Sequence, residues 1–164
     1  MFDIDIPTLI VASIFIAIFL PVFFYYSVKS KKARMEFCEK FNCFISKLNL
    51  NLSLKEDWRN RYILGLDKLS MMLVYCNFVD KEEKLAISLP EVSKFEVSEY
   101  FYESSNGTKS NKVLENLSLK IQIKNQSKTA ILLPIYSAGE FPDLLGETVL
   151  ASNWAKIINQ KLTK

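Results

Sequence analysis

Residues 113–124 read VLENLSLKIQIK. Within them Leu117, Leu119, Ile121 and Ile123 alternate with Ser118, Lys120, Gln122 and Lys124. A period of two sends the four aliphatic side chains to one face of an extended chain and the polar ones to the other, which predicts a β-strand with one buried face. A 3.6-residue period would scatter the same residues around a helix. Working outward, Asn125-Gln126-Ser127 marks a turn, and Thr129–Ile135 (TAILLPI) returns as a strand. On the other side, Ser93–Tyr102 (SKFEVSEYFY) places Phe95 and Val97 on one face, with Tyr100 and Tyr102 as further candidates for it only if the alternation slips by one residue. Glu103–Asn111 (ESSNGTKSN) between them reads as a polar loop with an Asn-Gly turn signal.

The same logic extends toward the N-terminus. Leu85, Ile87 and Leu89 alternate and stop at Pro90, with Asp80–Lys84 as a solvated turn before them. Met71–Asn77 (MMLVYCN) reads as a more fully buried strand, and Arg61–Leu66 (RYILGL) as another, with a tight turn beginning at Gly65. Leu50, Leu52 and Leu54 give a weaker alternation over 50–55. At the other end the period changes. Leu150, Ala151, Trp154, Ile157, Ile158 and Leu162 make one apolar stripe of helical spacing, with Asn153, Lys156, Asn159 and Gln160 off it. Pro142-Asp143 opens this helix or a turn before it. About seven antiparallel strands with short connections, then one amphipathic helix able to cover the open end of a curved sheet, predict an α+β domain over 50–164.

This order resembles that of pleckstrin-homology-like (PH-like) domains, and the large aromatic Trp154 inside the final helix is the residue that carries the resemblance best. The likeness is one of topology and covers residues 50–163. It implies seven strands in two near-orthogonal sheets closed by a C-terminal helix. It also implies a binding or scaffolding module rather than an enzyme, of the kind found in small, N-terminally membrane-anchored bacterial proteins. It does not name a ligand, because one fold hosts many functions.

The N-terminus obeys a different chemistry. Ile6–Val28 (IPTLIVASIFIAIFLPVFFYYSV) runs 23 residues without a charge. As a helix it would reach roughly 34 Å, enough to cross a hydrocarbon layer of about 30 Å. A helix buried in a soluble core would carry a polar stripe, and this one has none. Pro21 lies inside the run and predicts a kink. The short flank 1–5 is acidic, and Tyr25-Tyr26-Ser27-Val28-Lys29 offers no small-residue cleavage pattern, so the segment reads as a signal anchor that stays in place. Lys29, Lys31, Lys32 and Arg34 follow at once. The positive-inside rule then places residues 29–164 in the cytoplasm and 1–5 outside an inner (cytoplasmic) membrane. Residues 29–49 read as a basic juxtamembrane segment and stalk helix, in which, after Met35, the residues Phe37, Phe41, Phe44, Ile45 and Leu48 are linked by steps of three and four residues. That stripe suits packing on the chain's own domain or a short self-association seam over 30–48.

Composition narrows the chemistry. There is no histidine, so no Ser-His-Asp triad, histidine-bound zinc or histidine switch lies within these residues. The net charge of +3 resides in the 29–34 cluster, and the remainder is close to neutral, which argues against nucleic acid as a partner. Three cysteines, Cys38, Cys43 and Cys76, form no CxxC and suit a reducing compartment. No phosphate-cradling loop, nucleophile elbow or set of metal ligands appears, so neither cofactor nor metal is expected. Glu82-Glu83 and Glu96, Glu99 and Glu103 read as solvated carboxylates.

Two stretches remain as candidate sites. Lys29, Lys31, Lys32 and Arg34, beside a bilayer, would attract anionic headgroups by about 1 kcal/mol per basic residue. Trp58, Arg59, Arg61 and Tyr62 concentrate aromatic and guanidinium groups, which suits a partner-binding hot spot as well as a covered barrel edge. The leading expectation is a single-pass membrane protein presenting a cytosolic interaction domain. A lipid-sensing module stands second, and a membrane-tethered enzyme using carboxylates or lysine third.

Overall fold

The computed structural model describes residues 6–78, 82–106, 109–124 and 130–162, the side chains of 103–111 excepted. The chain divides into two units, Met1–Asn49 and Leu50–Lys164.

The first unit is one helix, α1 (Ile6–Lys47), which runs through the apolar stretch and the basic cluster without a break and keeps Pro21 inside it. Its apolar side chains lie open: Ile14 is 55% exposed, Phe19 66% and Phe23 75%. The Ser13 hydroxyl donates to the Leu9 carbonyl at 2.8 Å, which satisfies a polar group that has no water-seeking neighbour.

The second unit is α+β. Four antiparallel strands form one sheet in the order β1 (Leu54–Trp58), β2 (Tyr62–Asp67), β3 (Met72–Asn77) and β4 (Glu83–Ser88). A single 3-10 turn at Leu89–Glu91, with Pro90 in it, carries the chain into a second sheet. That sheet holds β5 (Val92–Asn106), β6 (Lys109–Ile123) and β7 (Ala130–Ser137), with β6 in the middle. Helix α2 (Glu147–Leu162) follows and lies chiefly against β5. The alternation that opened the sequence reading has its physical cause here: Leu117, Leu119 and Ile121 are fully buried on the inner face of the central strand. They join Leu64, Leu66, Leu73, Tyr75, Phe95 and Trp154 in one core shared by both sheets and α2.

Local details fix the register. Asp67, buried, accepts from the backbone N–H groups of Asn51, Leu69 and Ser70 and so ties the β2–β3 turn to the segment before β1. Those donors hold its carboxyl below the ordinary carboxylate range, led by Asn51 and against a smaller opposing effect of burial. Leu52 packs over Gly65, and a Cβ there would come within 2.7 Å of a Leu52 methyl, so a larger residue would require that side chain to shift. Opposite charges meet across the second sheet, with Glu96 on β5 directly opposite Lys120 on β6.

Several boundaries differ from the sequence expectation. The first strand is Leu54–Trp58 rather than 50–55, because Lys55, Glu56 and Asp57 interrupt the apolar alternation without interrupting the pairing to β2. The 50–53 stretch instead runs beside the end of β2, Ser53 donating its N–H to Leu66 at 2.9 Å. The turn expected from Gly65 begins after Asp67, since Gly65 and Leu66 stay paired with Val74 and Leu73. Most of the loop expected at 103–111 is strand: β5 and β6 continue to Asn106 and from Lys109 as a two-stranded ribbon beyond the reach of β7, whose pairing stops at Asn116. The sequence loses its alternation there because no third strand demands a buried face. Part of the Asn-Gly turn and of the 80–84 turn, and all of the 125–127 turn, lie outside the described residues.

Candidate functional site

The β1–β2 hairpin turns at Arg59 and Asn60, both with positive φ, and Arg61 N–H donates to the Trp58 carbonyl at 3.2 Å. Two left-handed residues suit the twist of a tight hairpin, but an arginine there costs about 1 kcal/mol. Tertiary contacts hold it in place. The Arg59 guanidinium donates to the buried carboxylate of Glu147 and to both the carboxylate and the backbone carbonyl of Asp143, and it lies 4.7 Å from the centre of the Phe141 ring. Burial pulls this guanidinium downward, but its hydrogen bonds to Glu147 and Asp143 outweigh that and raise its pKa. Glu147 also accepts the Leu145 N–H at 2.6 Å, at the first turn of α2, where a negative charge suits the helix dipole.

The two rings of the predicted segment point inward. Trp58 and Tyr62 stack at 5.3 Å, and Tyr62 continues the column to Tyr75 and Phe141. Trp58 donates its indole N–H to the Ile135 carbonyl at 2.9 Å, joining the two sheets. The Tyr62 hydroxyl donates to Glu140 and that of Tyr75 to the Pro134 carbonyl. Burial, and for Tyr62 next the Glu140 bond, pushes both phenols above their ordinary range. Of the four residues singled out in sequence, Trp58 and Tyr62 therefore belong to the core and Arg59 to an ion-paired latch. Arg61 is the exposed member, its guanidinium 5.2 Å from the Phe141 ring centre.

The basic cluster on α1 separates onto two faces. Lys29 and Lys32 share a shallow groove of about 530 Å³ with Tyr25 and Glu36, whereas Lys31 and Arg34 line another of about 340 Å³ with Met35 and Cys38. Spacings of three, four and seven residues put Tyr25, Lys29 and Lys32 in one row, a pattern the sequence carries but charge counting overlooks.

Two surfaces in the β-rich unit escaped the sequence reading. One is a groove of about 530 Å³ between β1 and α2, bounded by Glu56 and Asp57 on one wall and by Val149 and Leu150 on the other. Trp154 of α2 ties the two elements together, its indole N–H donating to Glu56 at 2.7 Å. No sequence signal links positions so far apart. The other is the β5–β6 ribbon, where Tyr100, Phe101, Tyr102 and Val113 are exposed.

Cys76 is buried, and burial pushes its thiol up to about 12 against a partial pull from Lys84, so it is a poor nucleophile. Cys43 is exposed. Among the described residues no three of histidine, cysteine, aspartate and glutamate gather as metal ligands would. Comparison with known protein families, with curated proteins and with solved structures gives no match for this chain.

Proposed function

We propose that this chain is a single-pass protein of the inner membrane that holds a PH-like interaction domain in the cytoplasm, acting by binding rather than by catalysis. The observation that carries it is the apolar surface of α1, exposed all round from Ile6 to Val28 and followed directly by four basic residues. Such a surface is stable against lipid and not against water. Crossing with the basic end inward leaves residues 50–164 in the cytoplasm. The tether then raises the domain's effective concentration toward membrane-bound partners, an effect that needs no special chemistry. Partners of this kind are another membrane protein or a second copy meeting through 30–48.

The exposed thiol of Cys43 tests the topology. In intact cells it should resist an impermeant maleimide and react only after permeabilisation, while the protein stays in the membrane pellet through alkaline carbonate. Labelling from outside, or release of a shortened chain starting after Val28, defeats the proposal. Crosslinking of the full-length protein in its membrane, followed by identification of the captured partner, tests the interaction role.

A second reading is favoured by the Tyr25–Lys29–Lys32 row: sensing of anionic lipid, with the two ammonium groups on a headgroup phosphate and the tyrosine at the interface. Full-length protein in nanodiscs should then retain phosphatidylglycerol over phosphatidylcholine, and Lys29→Gln with Lys32→Gln should abolish the preference. Equal retention of both lipids removes this reading and leaves the first intact.

A further inference from the structure

Residues directly opposite each other on paired strands share a face of the sheet. One face of the β5–β6 pair belongs to the core, through Phe95 opposite Ile121 and Val97 opposite Leu119. The alternate positions turn the other way. There Glu96 stands opposite Lys120, Ser98 opposite Ser118, and Tyr102 opposite Val113. Tyr100, two residues before Tyr102 on β5, shares this outer face and is 63% exposed; Tyr102 and Val113 are exposed as well. Tyrosine rings standing open on a sheet face are the residue type enriched where proteins meet.

The register makes this face complementary to itself. Across β5 and β6 an acid stands opposite a base, a ring opposite an aliphatic side chain, and a hydroxyl opposite a hydroxyl. A twofold axis running between the two strands and parallel to them exchanges the members of each pair when one copy is laid face to face on another. Glu96 of each copy then lies over Lys120 of the other, and Tyr102 of each over Val113 of the other. Lys94, at the end of the face, meets Gln122, its opposite on β6, so no two like charges are brought together. Glu96 is already ion-paired with Lys94, but its side chain stays 38% exposed and a carboxylate accepts from more than one donor.

We propose that the outer face of β5 and β6 binds a second copy of this chain, the two sheets stacking about 10 Å apart around that twofold axis. Tyr100, Tyr102 and Val113 supply the apolar contact, and the reciprocal Glu96–Lys120 pairs fix the register. The proposal deepens the interaction-module reading by naming the partner. It rests on that reading for the shared membrane, which raises the effective concentration of one copy toward another.

The test is energy transfer between donor-tagged and acceptor-tagged full-length protein, reconstituted together in vesicles of phosphatidylglycerol and phosphatidylcholine at high lipid excess. Wild type should transfer. Glu96→Lys alone and Lys120→Glu alone should each lose transfer several-fold, because each sets like charges against each other twice. Donor-tagged Glu96→Lys mixed with acceptor-tagged Lys120→Glu should regain it, a rescue between chains that changes within one chain cannot produce. Tyr102→Glu should also lose transfer, Leu69→Arg at the exposed β2–β3 turn should keep it, and circular dichroism should show each variant folded. Absence of transfer in wild type, transfer that survives both charge reversals, failure of the mixture to regain it, or equal loss on Leu69→Arg each overturns the proposal. A protein that floats with the vesicles but shows no transfer leaves the membrane-tethered module standing without this dimer. A protein that does not float with them counts against the module itself.

Discussion

Helices α1 and α2 are both rich in aliphatic and aromatic residues, yet they treat them in opposite ways. In α2 the apolar residues gather on one stripe, and Ala151, Trp154 and Ile158 on it are buried against the sheets. In α1 the apolar residues occupy every side from Ile6 to Val28, and their exposure runs from about half to three quarters. A stripe is the mark of a helix that divides its surface between core and water. A helix apolar all round divides nothing, and it needs a surrounding medium that is itself apolar. The contrast shows that composition alone says little about a helix, and that the angular distribution of the same residues says where it belongs.

The largest expected effect breaks the contrast at α2. Trp154→Ala deletes a fully packed ring and its hydrogen bond to the Glu56 carboxylate, and should destabilise the β-rich unit by about 3–5 kcal/mol in guanidinium unfolding followed by circular dichroism. Phe19→Ala, an equally drastic truncation on α1, should leave that unfolding midpoint where it was. Loss of stability from Phe19→Ala would mean that α1 has a packing role in the folded unit.

Next comes a charge in the middle of α1. Ile14→Lys should raise the cost of membrane insertion by about 3 kcal/mol and shift the protein out of the carbonate-resistant pellet. The same substitution on the outer face of α2, Val149→Lys, should change stability by less than about 0.5 kcal/mol, because that side chain is already in water.

A smaller effect is expected at the latch. Glu147→Ala leaves Arg59 with Asp143 alone and removes the acceptor for the Leu145 N–H, for a loss of about 2 kcal/mol. Hydrogen exchange should show the loss first in the opening turn of α2. Uniform loss through both sheets would show that the latch is part of the core's cooperative unit.

The pH profile sharpens the comparison most gently, since among the described residues each shifted group lies in the second unit. Asp67 titrates below its unfolded value, so its contribution is complete above about pH 4 and is lost as pH falls through the lower folded pKa. Tyr62, Tyr75 and Cys76 titrate above theirs, so their contribution is complete at neutral pH and erodes as pH rises past about 9, where the unfolded thiol begins to ionise. Thermal unfolding should show a plateau between these limits. Stability that kept rising above pH 9 would contradict the buried phenols and thiol.

The fold was legible wherever burial imposed a period. Leu117 to Ile121 could be read as a half-buried strand because one side of β6 faces the core, and α2 because its stripe has the helical repeat. Legibility failed where pairing continued without a buried face. Lys55, Glu56 and Asp57 are paired to β2 yet exposed, and the far end of the β5–β6 ribbon has no β7 beside it. The site fared worse for a different reason. Sequence shows that Trp58, Arg59, Arg61 and Tyr62 are neighbours, but the direction of each side chain depends on partners such as Ile135, Glu140 and Glu147, and residue types alone do not disclose those. The groove beside β1 has the same origin: Glu56 and Val149 become neighbours only after the chain has closed on itself.

The chain's two tryptophans, Trp58 and Trp154, both sit in the β-rich unit, and each fastens its indole to a distant segment, one to Ile135 and the other to Glu56. Tryptophan fluorescence therefore comes from the β-rich unit alone and reports two different seams. With either indole replaced by phenylalanine, the emission of the other becomes a private optical gauge. One gauge follows the closing of sheet on sheet and the other the seating of the final helix, both readable in intact vesicles without any attached dye.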